Sequence, residues 1–318
     1  MKPTLFHLGA LPVHSYGFFI ALGMVLGVAL AVRRGRQVGI ATATSLDLTF
    51  YAIVVGLLGA RLLYVLMHAS DYARLCAGTG AARSWGRALY DCSAALHIWQ
   101  GGLAFLGGGV LAAAVVLLFA RRKGLRLGDV ADVLSPSVSL AHVFGRFGCF
   151  LVGCCYGKPW TAGVAFPPDS VAYSELLARN AFAPGARCTP GLHPTQLYEA
   201  GGELLILLGL LLLWRRRRFP GMVALAYAFT YGILRFLIEV FRDDQVRGFL
   251  FELHLPSLAA ALGLPPQSPL FLSTAQATSL ALIAGATILY LRLAGRPKET
   301  SRPGHGNAGD AEGRALHG

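Results

Sequence analysis

Arg235 and Glu239 stand four residues apart inside the apolar run Met222–Phe241. Two further arginines sit in equally apolar surroundings, Arg61 within residues 46–67 and Arg146 within residues 130–152, between Gly145 and Gly148. An arginine at the centre of a membrane helix costs roughly 2.5 to 3.5 kcal/mol on insertion scales, so a charge kept there is paired or used. A guanidinium is a rigid planar fork of donors that fits a carboxylate or a phosphate with two parallel hydrogen bonds. Three such groups in three apolar segments point to an anion inside the membrane, either protein carboxylate or lipid phosphate.

The segments that carry them are membrane spans. The 318 residues are 55% hydrophobic and 14% charged, with a mean hydropathy of +0.56, where a soluble domain has about 25% charged residues. Stretches of about 20 mainly apolar residues occur at 14–32, 46–67, 101–120, 130–152, 196–214, 222–241 and 272–293. The expected fold is an all-α integral membrane protein, a seven-transmembrane-helix bundle with small periplasmic caps. Residues 1–294 form its one domain, and 295–318, polar and rich in glycine and charge, form a disordered cytoplasmic tail. The net charge of +12 is no nucleic-acid footprint, because the basic residues collect at alternate span ends: Arg33, Arg34 and Arg36; Arg121, Arg122, Lys123 and Arg126; Arg215 to Arg218; and the tail. The positive-inside rule then puts the N-terminus outside and the C-terminus in the cytoplasm. The first span ends in Arg33 and Arg34 rather than a small-residue cleavage site and reads as a retained helix.

Orientation gathers the polar residues. The second, fourth and sixth spans rise outward, so Arg61, Arg146 and Arg235 fall in the outer half of the bilayer, with Arg242 just beyond. The third and fifth begin outside, which sets Gly101, Gly102, His193, Gln196, Tyr198 and Glu199 at the same level. Tyr231, Arg235, Glu239 and Arg242 follow at intervals of four, four and three, along one helix face. Gly101 and Gly102 leave room for a lipid headgroup, whereas Gly56, Gly59 and Gly107 to Gly109 suit close helix packing. One reading is a structural ion-pair network, Arg235 with Glu239 and Arg61 with Glu199. The other starts from the surplus of Arg61, Arg146, Arg235 and Arg242 over Glu199, Glu203 and Glu239, which the phosphodiester of an outer-leaflet phospholipid would fill.

At this point the residues resemble the bacterial prolipoprotein diacylglyceryl transferases. His193-Pro194-Thr195-Gln196-Leu197-Tyr198-Glu199 is similar to that family's His-Pro-Ser/Thr-Gln-Leu-Tyr-Glu motif, and the stretch from Tyr231 to Arg242 resembles its sixth-helix motif. Gly59-Ala60-Arg61, Trp99-Gln100-Gly101-Gly102 and Leu272-Ser273-Thr274-Ala275-Gln276 fit further blocks, so the resemblance runs from Tyr16 to about residue 293. It implies transfer of the diacylglyceryl group of phosphatidylglycerol to the lipobox cysteine thiol of a secreted prolipoprotein, with glycerol phosphate released. It also implies Arg146 as the phosphate grip and Arg235 as a second clamp oriented by Glu239. Tyr231 is then available for a hydrogen bond, and Arg61, Arg242, Gln196, Tyr198 and Glu199 complete the phospholipid site.

Departures from the pattern bear on mechanism. The family signature Gly-Arg-x-Gly-Asn-Phe-x-Asn-x-Glu-x-x-Gly stands here as Gly145-Arg146-Phe147-Gly148-Cys149-Phe150-Leu151-Val152-Gly153-Cys154-Cys155-Tyr156-Gly157. The family's Phe-His-Gly-Gly, whose histidine is implicated in catalysis, stands as Phe105-Leu106-Gly107-Gly108. Leu106 moves no proton, which leaves His193 or His142 as base, or an arginine field that generates the thiolate unaided. The rival readings are a related transferase with another acceptor and a non-catalytic lipid-binding or thiol-redox membrane protein. Because the outer face is oxidising, disulfides are expected between Cys76 and Cys92 and between Cys188 and either Cys154 or Cys155. A redox-active or transiently lipidated thiol at Cys154 or Cys155 is the alternative. Zinc held by Cys149, Cys154, Cys155 and His193 fits no established ligand spacing, so no metal and no cofactor is expected.

Overall fold

The computed structural model describes residues 4–8, 11–77, 93–97, 102, 104–243, 248–265 and 271–295. A β-hairpin of β1 (Thr4–Leu8) and β2 (Leu11–His14) leads into α1 (Ser15–Gln37). There follow α2 (Thr42–Met67), α3 (Ala69–Ala77), a 3-10 turn (Ala94–Leu96), α4 (Phe105–Arg122) and α5 (Leu127–Val152). Next come β3 (Pro159–Val164), α6 (Val171–Ala178), α7 (Thr195–Trp214), α8 (Met222–Phe241), β4 (Phe249–Leu253), α9 (Pro256–Ala261), β5 (Phe271–Ser273) and α10 (Thr274–Ala294). Among the described residues five helices, α1, α2, α7, α8 and α10, are long and apolar enough to cross a membrane. Helix α4, 18 residues, is at the short limit of a span, and α5 mixes Ser135, Ser137, Ser139, His142 and Arg146 into its apolar residues. The tail from 296 lies outside the described residues.

Several helices bury polar residues on one face and expose large apolar ones on the other. On α7, Thr195, Gln196, Glu199 and Glu203 are buried at helical spacing while Leu205, Leu208 and Leu212 are exposed. Small residues let the helices close on one another. The stripe Gly23, Gly27, Ala31 and Gly35 of α1 is buried, and a side chain at Gly27 would press on the Ser137 carbonyl of α5. Gly56 and Gly59 of α2 meet Gly107 and Gly108 of α4 in the same way, as the glycine pattern predicts. Helix α5 is the hub, packing on α1, α7 and α8, and α10 lies along α8.

At the end of the bundle that carries the arginine cluster Arg215 to Arg218, Asp132 of α5 is fully buried. It accepts hydrogen bonds from the N–H groups of Gly221 (2.8 Å) and Ala224 (2.9 Å), capping the start of α8 from a neighbouring helix. Arg217 reaches Asp129 and Asp132. At the opposite end, β3, α6 and the connecting loops form a cap around Phe166, Tyr156, Leu192 and Leu176.

Candidate functional site

Helices α5, α7 and α8 bring the charged groups together. Arg146 sets Nη2 at 2.8 Å from Glu199 Oε1 and donates from Nε to His142 Nε2 at 3.1 Å. His142 Nδ1 lies 2.7 Å from Glu203 Oε1. These contacts assign the imidazole tautomer, with the proton on Nδ1 toward Glu203 and the Nε2 lone pair toward Arg146. Glu203 also accepts from Ser139 Oγ at 2.6 Å and Tyr227 Oη at 3.4 Å. Arg242, past the end of α8, approaches Glu199 Oε2 at 3.9 Å. Arg235 pairs with Glu239 at 2.8 Å, and Ser273 donates to the other Glu239 oxygen at 3.1 Å. Tyr231, with His142 5.8 Å from its ring, is within electrostatic reach of Glu199, Arg235, Arg146 and Glu203. Each carboxylate holds an arginine through Nη2, so the rest of the fork can donate elsewhere. Among the described residues Arg235 Nη1 is buried and has no hydrogen-bond partner, a condition buried guanidinium N–H groups rarely tolerate without a ligand or water.

Other expected residues go elsewhere. Arg61 is buried but does not join the carboxylates: it donates to the carbonyls of Ala95 (2.8 Å), Ala94 (2.7 Å) and Gly102 (3.0 Å). Three carbonyls beside α2 satisfy the guanidinium locally, so Arg61 anchors a loop and neither pairs with Glu199 nor adds to a charge surplus. Gly102 has φ +72°, and a side chain there would strike the Tyr64 ring, so its missing side chain serves packing against Tyr64 rather than room for a headgroup. Gly101 lies outside the described residues. Gln196, fully buried, donates to the Cys154 carbonyl at 2.7 Å. His193 is 3% exposed, stacked on Trp160 with centroids 4.6 Å apart and 3.3 Å from the Tyr198 hydroxyl. Burial, and then the charge of Lys158, hold its pKa below the ordinary histidine value. His193 is thus an aromatic cap residue, and His142 is the imidazole among the charges. Leu106, in the first turn of α4, is 70% exposed. His142, Ser139 and Tyr227 converge on Glu203 in a polar cluster that only the fold reveals, although the serine and histidine within an apolar run were a visible signal.

The cysteines depart further from expectation. Cys76 is disulfide-bonded, while Cys92, its expected partner, lies outside the described residues. Cys188 is exposed and free, and the half-buried Cys154 and Cys155 are free as well, so the second expected disulfide is not formed. Helix α5 ends at Gly153 in the left-handed region, and Cys155 itself has φ 59°. The two turns fold the chain back so that the sulfurs of Cys149, Cys154 and Cys155 lie within 4.8 Å of one another. Hydrogen bonds from Cys149 and Cys154, then the charges of Arg242 and Arg146, pull the Cys155 thiol down; its partner Cys154 is pushed up by the same hydrogen bonds and by burial. Beside α5, an apolar cavity of about 400 Å³ is lined by Gly27, Ile53, Ala113, Leu134, Val138 and Tyr227.

Comparison with known proteins places this geometry in context. The family profile described as "Prolipoprotein diacylglyceryl transferase" matches residues 3–292. A protein of Clostridium tetani named phosphatidylglycerol–prolipoprotein diacylglyceryl transferase is 30% identical over 77% of this chain and 86% of its own length. A Clostridium perfringens protein of that name, numbered 2, is 29% identical over 94% of this chain and 99% of its own. A Bordetella parapertussis protein of the same name is 30% identical over 83% and 94%.

Proposed function

The chain belongs to the prolipoprotein diacylglyceryl transferase family, and from that membership we propose that the cluster on α5, α7 and α8 is the centre where it moves the diacylglyceryl group of phosphatidylglycerol onto the lipobox thiol of a prolipoprotein. The observation that carries the site is the pair Arg146 and Arg235, each held by a carboxylate at one edge of its fork. A phosphodiester between them accepts the remaining donors. As the acceptor sulfur attacks the glyceryl carbon, the C–S bond forms and the C–O bond to phosphate breaks. Its electron pair goes to the phosphate, whose growing charge the two guanidinium groups stabilise. His142, backed by Glu203, is the proposed proton acceptor for the thiol, with Leu106 standing where the family has histidine. The apolar cavity beside α5 suits an acyl chain.

In this reading all seven long helices span the inner membrane, with the charged cluster and the cap around Phe166 on the periplasmic side. Expression in a bacterium depleted of its own transferase tests it. Restored thioether lipidation of a reporter lipoprotein is expected, and its absence at normal expression in the membrane would refute the acceptor assignment.

A further inference from the structure

The thiols of Cys149, Cys154 and Cys155 stand beside the arginine cluster, and the steps above do not use them. We propose that these three sulfurs bind a zinc ion whose fourth position receives the acceptor thiolate of the lipidation reaction. The inference deepens the transferase reading and rests on it for the acceptor's identity.

Three observations carry it. The sulfurs are mutually within 4.8 Å, and a tetrahedral zinc with Zn–S bonds of about 2.3 Å places its ligand sulfurs about 3.8 Å apart, so closure of about 1 Å or less completes the half-cage. The backbone is held for this. Gln196 donates to the Cys154 carbonyl, Thr195 Oγ donates to the Cys155 carbonyl at 2.7 Å, and Cys155 keeps a left-handed φ that non-glycine residues adopt at a cost. Finally, the same structure contains a disulfide at Cys76 yet leaves these three crowded thiols unpaired. A disulfide would use two sulfurs and strand the third, whereas a metal uses all of them. The run Cys149-x4-Cys154-Cys155 matches no familiar zinc spacing because the turn at Gly153 and Cys155, not the interval, makes the sulfurs converge.

Three protein ligands with a fourth position open is the arrangement of a catalytic zinc site. A thiol that binds zinc loses its proton, here to His142 Nε2, and stays a nucleophile at neutral pH. The zinc-bound sulfur then uses a lone pair to form the C–S bond, phosphate leaves with the C–O pair, and the neutral thioether, a poorer ligand, departs. Zinc with four thiolates carries two negative charges, and Arg242 and Arg146 act electrostatically on Cys155. Such a site supplies the thiolate that a chain with Leu106 must obtain without the family's histidine.

The test uses the full chain purified from membranes in mild detergent without chelator. Elemental analysis is expected to find about one zinc per chain, falling at least ~10-fold in Cys149→Ser and Cys155→Ala and unchanged in Cys188→Ser, an exposed thiol outside the cluster. Size-exclusion profiles establish that the variants remain folded. Replacement by cobalt(II) is expected to give a thiolate-to-metal charge-transfer band that strengthens by about one third when a lipobox peptide adds a fourth sulfur to the three of the protein, and does not when the peptide carries serine instead. Absence of bound zinc and cobalt in folded wild-type protein overturns the site, and a cobalt band indifferent to the thiol peptide overturns the acceptor role. Metal bound and responsive to the peptide, with no diacylglyceryl transfer in the lipid assay, would instead overturn the transferase reading and leave the site supported.

Discussion

Glu199 is the residue on which two arginines depend, Arg146 at 2.8 Å and Arg242 at 3.9 Å. Removing one partner of a buried pair leaves an uncompensated charge worth about 3–5 kcal/mol, so Glu199→Ala, which strands two arginines, should lower thermal stability more than Arg146→Ala, whose loss leaves Glu199 with Arg242. Arg146→Ala and Arg235→Ala should each cut lipid transfer by at least ~100-fold, the effect of removing one donor that stabilises a transition-state oxyanion. Arg235→Lys should lose much of it too, since an ammonium cannot hold Glu239 and donate a second planar bond. Transfer within a few-fold of wild type in Arg146→Ala or Arg235→Ala would remove the phosphate clamp. His193 makes a prediction of a different kind. Its folded-state pKa lies below the unfolded value of about 6.5, so the folded chain binds fewer protons and its stability is complete above that pH and declines as pH falls through it. Melting curves in detergent between pH 7.5 and 5 should show this decline, reduced in His193→Gln. Arg146, Arg235 and Glu239 were legible in the sequence because charge in an apolar run is costly. Arg61 was legible as a charge but not in its partners, since backbone carbonyls carry no sequence signature.

At the scale of the elements, α5 illustrates why some structure was readable and some was not. Its apolar run marked a span over residues 130–152, but nothing local announced that Asp132 caps α8. That contact joins residues 89 and 92 positions apart. Asp132→Ala should therefore cost about 1–2 kcal/mol, the usual loss for a helix cap, seen as a lower melting temperature. Asp132→Asn, which keeps an acceptor oxygen, should recover part of it. Transfer per folded molecule should be unchanged in both, because the cap lies at the opposite end of the bundle from the arginine cluster. The connection after α5 was harder still. The sequence suggested an oxidised pair for Cys188, yet the left-handed turn at Gly153 and Cys155 directs both thiols to Cys149 instead, and backbone handedness at a non-glycine residue is not written in composition.

For the whole molecule, the alternation of basic clusters gives an orientation that helix packing alone does not, because a bundle of apolar helices fits either way across a bilayer. The packing adds where the two ends are: Arg217 meets Asp129 and Asp132 at one end, and the cap with Cys188 stands at the other. If the positive-inside rule governs insertion, Cys188, exposed and free, faces the periplasm. A membrane-impermeant maleimide added to intact spheroplasts should label it. The label should vanish in Cys188→Ser, and Arg216→Cys in that background should react only after the membrane is permeabilised. A fluorescent protein that matures only in the cytoplasm, fused after Gly295, should fluoresce. The reverse pattern would put the charged cluster in the cytoplasmic half, away from secreted acceptors, and the assignment of Arg146 and Arg235 to prolipoprotein chemistry would fall with the topology.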